Sequence, residues 1–528
     1  MDISKLNNIS EFATSFSDEV CDKQCLVVDN NQRTNKQFSN NILNHAKRFI
    51  SFGLNKGERI GILFFNSIEY LEIMYGAMYA GLVPVTINAR YKTSELDYVL
   101  KDSECRYLFI TSESDEITNF SELILSVLDE NNQKIESLYS TYVIGGSSDD
   151  RLKDFDEFLA LDTSEVELNG PLSKGDDAAF IMYTSGTTSN PKGCPLSHNN
   201  MIHSSKSMLE RWNISNKDVF WDPLPMFHMS SILPFSACLI AKAPFISTVH
   251  FDPDDSLKVL EESKVSIAFP AFPAIMLALV NHPEFDAEKL SSIRIINNVA
   301  PLDTLRSFQE ALPNAKLVSA YGLTEAGGVS AYGSEDDPLE KRITTSGKPF
   351  NGVEIRIINP ETGDRQPYDE KGLIEINGPS VFKGYLNDPV KTKETLSEDG
   401  WLSTGDIGSL SEDGYISYHG RLKDMLKVGG ENVAALEIES FYNNHESVLL
   451  SQVVGVEDER LGEVAALFIE KHDGANVTSD ELIEFAKGKI SNFKIPRYIV
   501  FIDEWPMSST KVQKFKLKDY DLGAKVFG

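Results

Sequence analysis

Cysteine is scarce: the chain has five in 528 residues, Cys21, Cys25, Cys105, Cys194 and Cys238. An odd, mostly scattered set argues against a disulfide framework and fits a reducing compartment. Cys21-x-x-x-Cys25 lacks a second ligand pair, so no structural zinc site is expected. Basic charge is short as well, with 50 Lys and Arg against 79 Asp and Glu, a net charge of −29. Nucleic acid and anionic membrane surfaces are therefore not expected partners, because both need a basic face. Long apolar runs are missing too. The longest, around 231–249, is broken by Lys242, Pro234 and Pro244 and reads as buried core rather than a membrane span. The start, MDISKLNNIS, has no basic and apolar signal pattern, and the final KVFG matches no sorting tag. Internal repeats and low-complexity tracts are absent. These absences point to a cytoplasmic protein with no integral membrane segment.

What is present reads as a globular chain, 41% hydrophobic and 24% charged, too long for one ordinary domain. The first half alternates apolar runs with helical patterns. Strands are expected at 59–65, 82–87, 107–110 and 178–183, and again at 266–269, 293–296 and 316–319. Helices are expected at 67–79, opened by Ser67, at 94–100 and at 271–281. Strands spaced by helices imply α/β architecture with covered, mostly parallel sheets. After about residue 345 the segments 353–358, 372–376 and 414–418 are short and turn-rich, a small β-rich part. From 423 onward the order is helix 434–444, strands 451–456 and 465–469, helix 479–489 and strand 497–501, an α+β domain of its own.

Between strand 178–183 and the chain beyond it lies YTSGTTSNPKG, Tyr183 to Gly193. Such residues make ordinary loops. They also make anion cradles, in which glycines let backbone N–H groups converge on phosphate, hydroxyls add donors and a lysine adds charge. The loop is not a Walker A motif, because Pro191 precedes the lysine and Gly193 follows it. If the ligand is a nucleotide, local cations and a metal must work against an acidic overall field.

Five further stretches stand out. They are 223–230 with His228, 297–302 with Asn297 and Asn298, and 319–328 with Thr324 and Glu325. The others are 400–406 with Asp406, followed by Gly420-Arg-Leu-Lys-Asp424, and 505–511 ending in Lys511. Each has an ordinary reading: a packed histidine, a loop, a capped helix start, an Asx-turn, a solvated lysine. A carboxylate beside a hydroxyl between glycines can instead complete a Mg²⁺ shell with phosphate oxygens.

In this order the set resembles the adenylate-forming superfamily, which includes acyl-CoA synthetases, the adenylation domains of peptide synthetases and firefly luciferase. The resemblance spans about residues 42–517. It implies a large N-terminal domain, 1–422, of two mixed or parallel sheets flanked by helices, with a β-rich subdomain at about 345–420. A hinge would join it to a small mobile α+β domain, 423–528. It implies ATP, Mg²⁺ and coenzyme A. Thr184, Ser185, Gly186, Thr187 and Thr188 would hold the β and γ phosphates with Lys192. Thr324 would touch the α-phosphate and Glu325 would bind the metal. Tyr321 would stack on adenine, with Ala300 and Pro301 on its other side, and Asp406 and Arg421 would hold ribose. Lys511 would bridge the α-phosphate and the attacking carboxylate, with Lys514 in reserve. Lys423 would be the hinge, Gly429 and Gly430 would let pantetheine pass, and His228 would gate the acyl and thiol entrance. Gly322 stands where acetate-specific relatives carry tryptophan, so an acid larger than acetate is expected: fatty, aromatic or otherwise functionalised.

Three departures accompany the likeness. Asn298-Val-Ala-Pro301 replaces Gly-Gly-Ala-Pro, Ala320 replaces a residue that is often polar, and the motif before Lys511 is one residue short and lacks its glycine. The reading implied is an AMP-forming acid–CoA ligase. A carrier-protein or luciferase-like acceptor and a non-catalytic nucleotide- or acyl-adenylate-binding protein are its alternatives. Oligomeric order is left open.

Overall fold

The computed structural model describes residues 6–115, 118–132, 134–184, 190–429, 431–472, 474–508 and 511–527. The chain forms two compact units, residues 1–354 with 376–402, and residues 355–375 with 403–528.

Two seven-stranded sheets dominate the first unit. One orders its strands Lys153–Asp154, Ser140–Ile144, Tyr107–Thr111, Arg59–Leu63, Val83–Thr86, Ala178–Thr184, Lys192–Ser197. All neighbours are parallel except the last pair, which is antiparallel. The other orders Lys316–Val318, Ile295–Asn298, Ile267–Ala271, Phe220–Trp221, Phe245–Ser247, Gln24–Val28, Asn31–Thr34, again with only the last pair antiparallel. The expected α/β class with two mixed sheets is therefore what the chain adopts.

Local chemistry explains the elements. The Ser67 side chain accepts the Tyr70 N–H at 3.1 Å and starts helix Ile68–Tyr79, as its sequence position implies. Every residue of that helix but Glu69 is buried, so it reads as apolar all round. The apolar run near 231–249 becomes helix Met229–Ala241 and strand Phe245–Ser247, nearly all of it core. No helix among the described residues is long and apolar enough to cross a membrane.

Two expectations shift. The strand expected at 293–296 begins at Ile295 and runs through the polar pair Asn297 and Asn298. Arg294 lies outside it, held by Asp218 at 2.9 Å and Glu335 at 2.7 Å. Asp406 does not follow a simple tight turn; it lies inside the nine-residue strand Leu402–Leu410. The turn-like signal came from Gly405, whose φ is +73° within that strand.

The second unit carries the small β part, in the strand order Glu354–Ile358, Gly372–Asn377, Leu402–Leu410, Ile416–Arg421. Its α+β part pairs Glu431–Ala434, Met425–Val428, Gly462–Lys471 and Val448–Asp458 in that order, and Tyr498–Phe501 adds in parallel to Gly462–Lys471. Helices Ala435–Tyr442 and Ser479–Ala486 cover a core that includes Leu467, Ile469 and Leu482.

Gly408 shows how closely these strands are packed. A Cβ there would lie 2.6 Å from Ile374 Cδ1 and 2.7 Å from Ser417 O. Gly408→Val is expected to cost about 1–3 kcal/mol by overpacking, read as a lower calorimetric unfolding midpoint. An unchanged midpoint would show that the strands open freely.

Candidate active site

The glycine- and hydroxyl-rich loop leaves from the last rung of an antiparallel ladder. Thr184 pairs with Lys192, and Thr184 Oγ1 lies 3.5 Å from Lys192 O as a long hydrogen bond. Ser185, Gly186, Thr187 and Thr188 lie outside the described residues. Tyr183, at the base of the loop, donates to Asp102 Oδ2 at 2.6 Å. The Lys192 ammonium stands 5.7 Å from the Tyr385 ring centroid. Burial lowers its pKa, and Lys391 adds to that; Asp388 and Glu325 act the other way.

Beside this ladder is the short turn Thr324–Ala326. It is a single 3₁₀ turn with no side-chain cap, rather than the start of a capped helix. Thr324 Oγ1 is 3.9 Å from Met182 Sδ, on the strand that ends at Thr184. Glu325 is buried and accepts the Tyr385 hydroxyl at Oε1, 2.7 Å away. Its carbonyl accepts the Phe382 N–H at 2.8 Å. Burial and then the Glu325 charge push the Tyr385 phenol pKa up, so it stays a donor. Lys192, Thr184, Thr324 and Glu325 are thus brought to one place. Tyr385 joins them and was not foreseen.

Among the described residues no group of three or more His, Cys, Asp or Glu is placed to hold a metal ion. Mg²⁺ does not require one, since it takes one or two carboxylates and completes its shell with phosphate oxygens and water. Glu325, with one oxygen oriented by Tyr385, fits that role.

Tyr321 is buried in strand Ala320–Tyr321, and its carbonyl accepts the Ser330 N–H at 2.9 Å. Gly322 has a local cause as well as the one expected. A Cβ there would lie 2.4 Å from both Gly328 O and Val329 Cα. The fold of residues 322–329 therefore demands glycine, whatever the size of the acid.

The second sheet contributes its carboxyl edge, where ligands of parallel sheets bind. Asn297 donates to Val318 O at 3.1 Å. Asn298 is fully buried, and neither atom of its amide has a hydrogen-bond partner. Opposite it in the ladder, Ala271 holds a left-handed φ of +50°. Val299 is 42% exposed, and Ala300 and Pro301 lead into helix Leu302–Ala311. His228 is the N-cap residue of helix Met229–Ala241 and makes no side-chain cap; its ring lies 4.6 Å from that of Phe227.

The second unit presents the remaining candidates. Asp406, 4% exposed, faces Arg421 across the ladder, with Arg421 Nε 3.2 Å from Asp406 Oδ1. Lys423 is in the turn Leu422–Asp424. The residue is exposed, yet partial desolvation of its ammonium lowers its pKa, opposed by Asp424. Gly429 follows strand Met425–Val428, in the two-residue connection to Glu431–Ala434, with φ +60°. Such hairpins need positive φ, so turn geometry alone accounts for it. Gly430 lies outside the described residues. Lys511 is placed by its backbone only, in a strand paired with Met507–Ser508. The ammonium of Lys514 lies 2.5 Å from Glu439 Oε1.

Residues 14–386 match the family model described as AMP-binding enzyme, and residues 437–512 match the AMP-binding enzyme C-terminal domain. The chain is 33% identical to the putative acyl-CoA synthetase YngI of Bacillus subtilis, over 97% of each chain. It is 31% identical to the mitochondrial medium-chain acyl-CoA ligase ACSF2 of Rattus norvegicus, over 94% of this chain and 84% of that one. The crystal structure of ATP-bound MatB from Rhodopseudomonas palustris superposes with a TM-score of 0.86 at 27% identity, covering 97% and 99%.

Tyr385→Phe removes the hydroxyl that donates to the Glu325 carboxylate while keeping the ring. Hydrogen bonds to charged groups are worth about 1.5–3 kcal/mol. Mg²⁺–ATP binding should weaken by about tenfold to hundredfold, read by titration calorimetry. Unchanged affinity would mean that Tyr385 does not orient Glu325.

Proposed function

The chain belongs to the AMP-binding enzyme family, and we propose that it is an AMP-forming acid–CoA ligase for carboxylic acids larger than acetate, medium-length fatty acids foremost. The observation that carries this is the meeting of Thr184, Lys192, Thr324 and Glu325 beside one loop, in a chain whose relatives are named acyl-CoA ligases.

The acid's carboxylate oxygen attacks the α-phosphorus of ATP, the bond to the bridging oxygen breaks, and pyrophosphate leaves. The sulfur of coenzyme A then attacks the acyl carbon, its proton is lost, and AMP leaves. The obstacle in the first step is charge, because an anion must approach a polyanion. Bound Mg²⁺ supplies charge neutralisation on phosphate oxygens, and Glu325 is the residue to hold it. Lys192 and the hydroxyls from Thr184 onward receive the outer phosphates, Ser185, Gly186, Thr187 and Thr188 included. Thr324 donates to the α-phosphate. Tyr321, Ala300 and Pro301 take the base, and the paired Asp406 accepts ribose hydroxyls while Arg421 steadies it. Lys511 places its ammonium between carboxylate and α-phosphate, where charge develops.

For the second step we propose that residues 423–528 turn about Lys423, withdrawing Lys511 and presenting Gly429 and Gly430 to the pantetheine arm. His228 positions the acyl and thiol ends. The exposed Val299 and Leu302 supply apolar surface beside Ala300 and Pro301, which supports an acid with a hydrocarbon body. A cytoplasmic location fits the composition.

The test is pyrophosphate and AMP release with ATP, Mg²⁺ and acids from acetate to long-chain, aromatic and carnitine-like, with and without coenzyme A. CoA-dependent turnover on acids larger than acetate, falling at least about a hundredfold in Lys511→Ala, is expected. A single equivalent of pyrophosphate indifferent to coenzyme A would assign another acceptor. ATP binding with no pyrophosphate from any acid would assign a non-catalytic protein.

A further inference from the structure

Lys511 stands on a very small support. Its hairpin has two cross-strand pairs, Met507 with Val512 and Ser508 with Lys511. Two strands of this length are not stable alone, and Met507 is 48% exposed. Its position is therefore set where its limbs join the rest of the unit. At the base, the Gln513 N–H donates to Pro506 O at 2.7 Å. On the incoming limb, Trp505 Nε1 donates to Glu470 Oε2 at 2.5 Å, on strand Gly462–Lys471.

The outgoing limb is held by a charge. Lys514, three residues beyond Lys511, sets its ammonium 2.5 Å from Glu439 Oε1. Glu439 is 4% exposed and lies on helix Ala435–Tyr442. The same oxygen accepts the Val453 N–H at 2.7 Å, and the Glu439 carbonyl accepts the Ser451 hydroxyl at 3.1 Å. The carboxylate is thus held to strand Val448–Asp458 by a bond that does not involve the lysine. Burial raises the Glu439 pKa and the Lys514 charge opposes the rise. A buried carboxylate that loses its cation is strongly disfavoured, so the contact is kept. A polar cleft of about 60 Å³ borders the pair, with Tyr418, Arg421 and Asp424 on its other walls.

We infer that Glu439 is a positioning residue, which through Lys514 holds the Lys511 hairpin in place for acyl-adenylate formation. Lys514 is the tether and not an adenylating lysine, because its ammonium is engaged by Glu439 on helix Ala435–Tyr442. The inference rests on the ligase reading and on Lys511 acting in its first step only.

The two half-reactions separate these roles. Acid-dependent ATP–pyrophosphate exchange reads the first, and thioester formation from synthetic octanoyl-adenylate and coenzyme A reads the second. Octanoate is the probe, replaced by the fastest acid of the panel if it is not turned over. In the full chain, Glu439→Gln and Lys514→Met should each lower exchange by at least about tenfold. Thioester formation should stay within about twofold of wild type, well inside a tenfold, 1.4 kcal/mol step. Lys514→Arg, whose guanidinium reaches the same carboxylate, should recover most of the exchange. Equal loss of both half-reactions, tracking a lower unfolding midpoint, would make the pair merely structural and overturn the inference. Unaltered exchange in both variants would overturn it too. Wild-type protein inert in both half-reactions would instead overturn the ligase reading, and this inference with it.

Discussion

In the proposed reaction an anion has to be driven against a polyanion inside a protein that already carries a net charge of −29. The remaining features of the site answer that constraint. A general basic field is not available, so cations act singly and at close range. In each unit the candidate cations have set companions. Lys192 stands by the Tyr385 ring and feels Glu325 and Asp388. Arg421 lies against Asp406, and Lys514 against Glu439. Pairing fixes where each charge sits and limits the repulsion among cations that would otherwise spread them.

The same constraint selects the scaffolding. Glycine-rich loops and short hairpins present backbone donors and one lysine with little bulk, and they hold together poorly alone. They are hung from rigid elements instead. The loop after Thr184 leaves a strand pair that is steadied by the Tyr183 to Asp102 hydrogen bond. The turn of Thr324 and Glu325 is tied to residues 382 and 385 through one main-chain and one side-chain bond. At the edge of the second sheet, Ala271 keeps a left-handed backbone opposite an Asn298 whose amide is unsatisfied. An unmet buried amide and a positive φ outside glycine are each costly, and here the two face each other across one pair of strands.

Much of this was legible in the sequence, for definite reasons. Buried parallel strands such as Arg59–Leu63 and Tyr107–Thr111 read as unbroken apolar runs. Ser67 announced its helix because capping is a local interaction. Thr184, Lys192, Thr324 and Glu325 were named through the resemblance that their motifs carry together in order, since each motif alone has an ordinary reading. Two of the misses depend on distant partners, and the others have local causes. Tyr385 gains its meaning from Glu325, 60 residues away in the chain. Strand Leu402–Leu410 was hidden by Gly405 and Asp406, which look like a turn until Arg421 pairs across from them. The two-residue strand Phe220–Trp221 has no period to detect at all. The hairpin of Met425–Val428 and Glu431–Ala434 is marked only by Gly429-Gly430, a pair that in the family resemblance also carries a functional meaning.

The pair of Glu439 and Lys514 shows why a buried charge is worth keeping where an apolar contact would be more stable. Replacing such pairs by well-packed hydrophobic residues is often neutral or stabilising. An apolar contact, however, tolerates sliding, because burial has no direction. A carboxylate already fixed by the Val453 N–H accepts an ammonium along a narrow set of lines. Fixing Lys514 in this way fixes the chain three residues before it, and a hairpin of two rungs has few other means of being aimed. Precision of placement, more than added stability, is what an ion pair at the foot of this hairpin supplies.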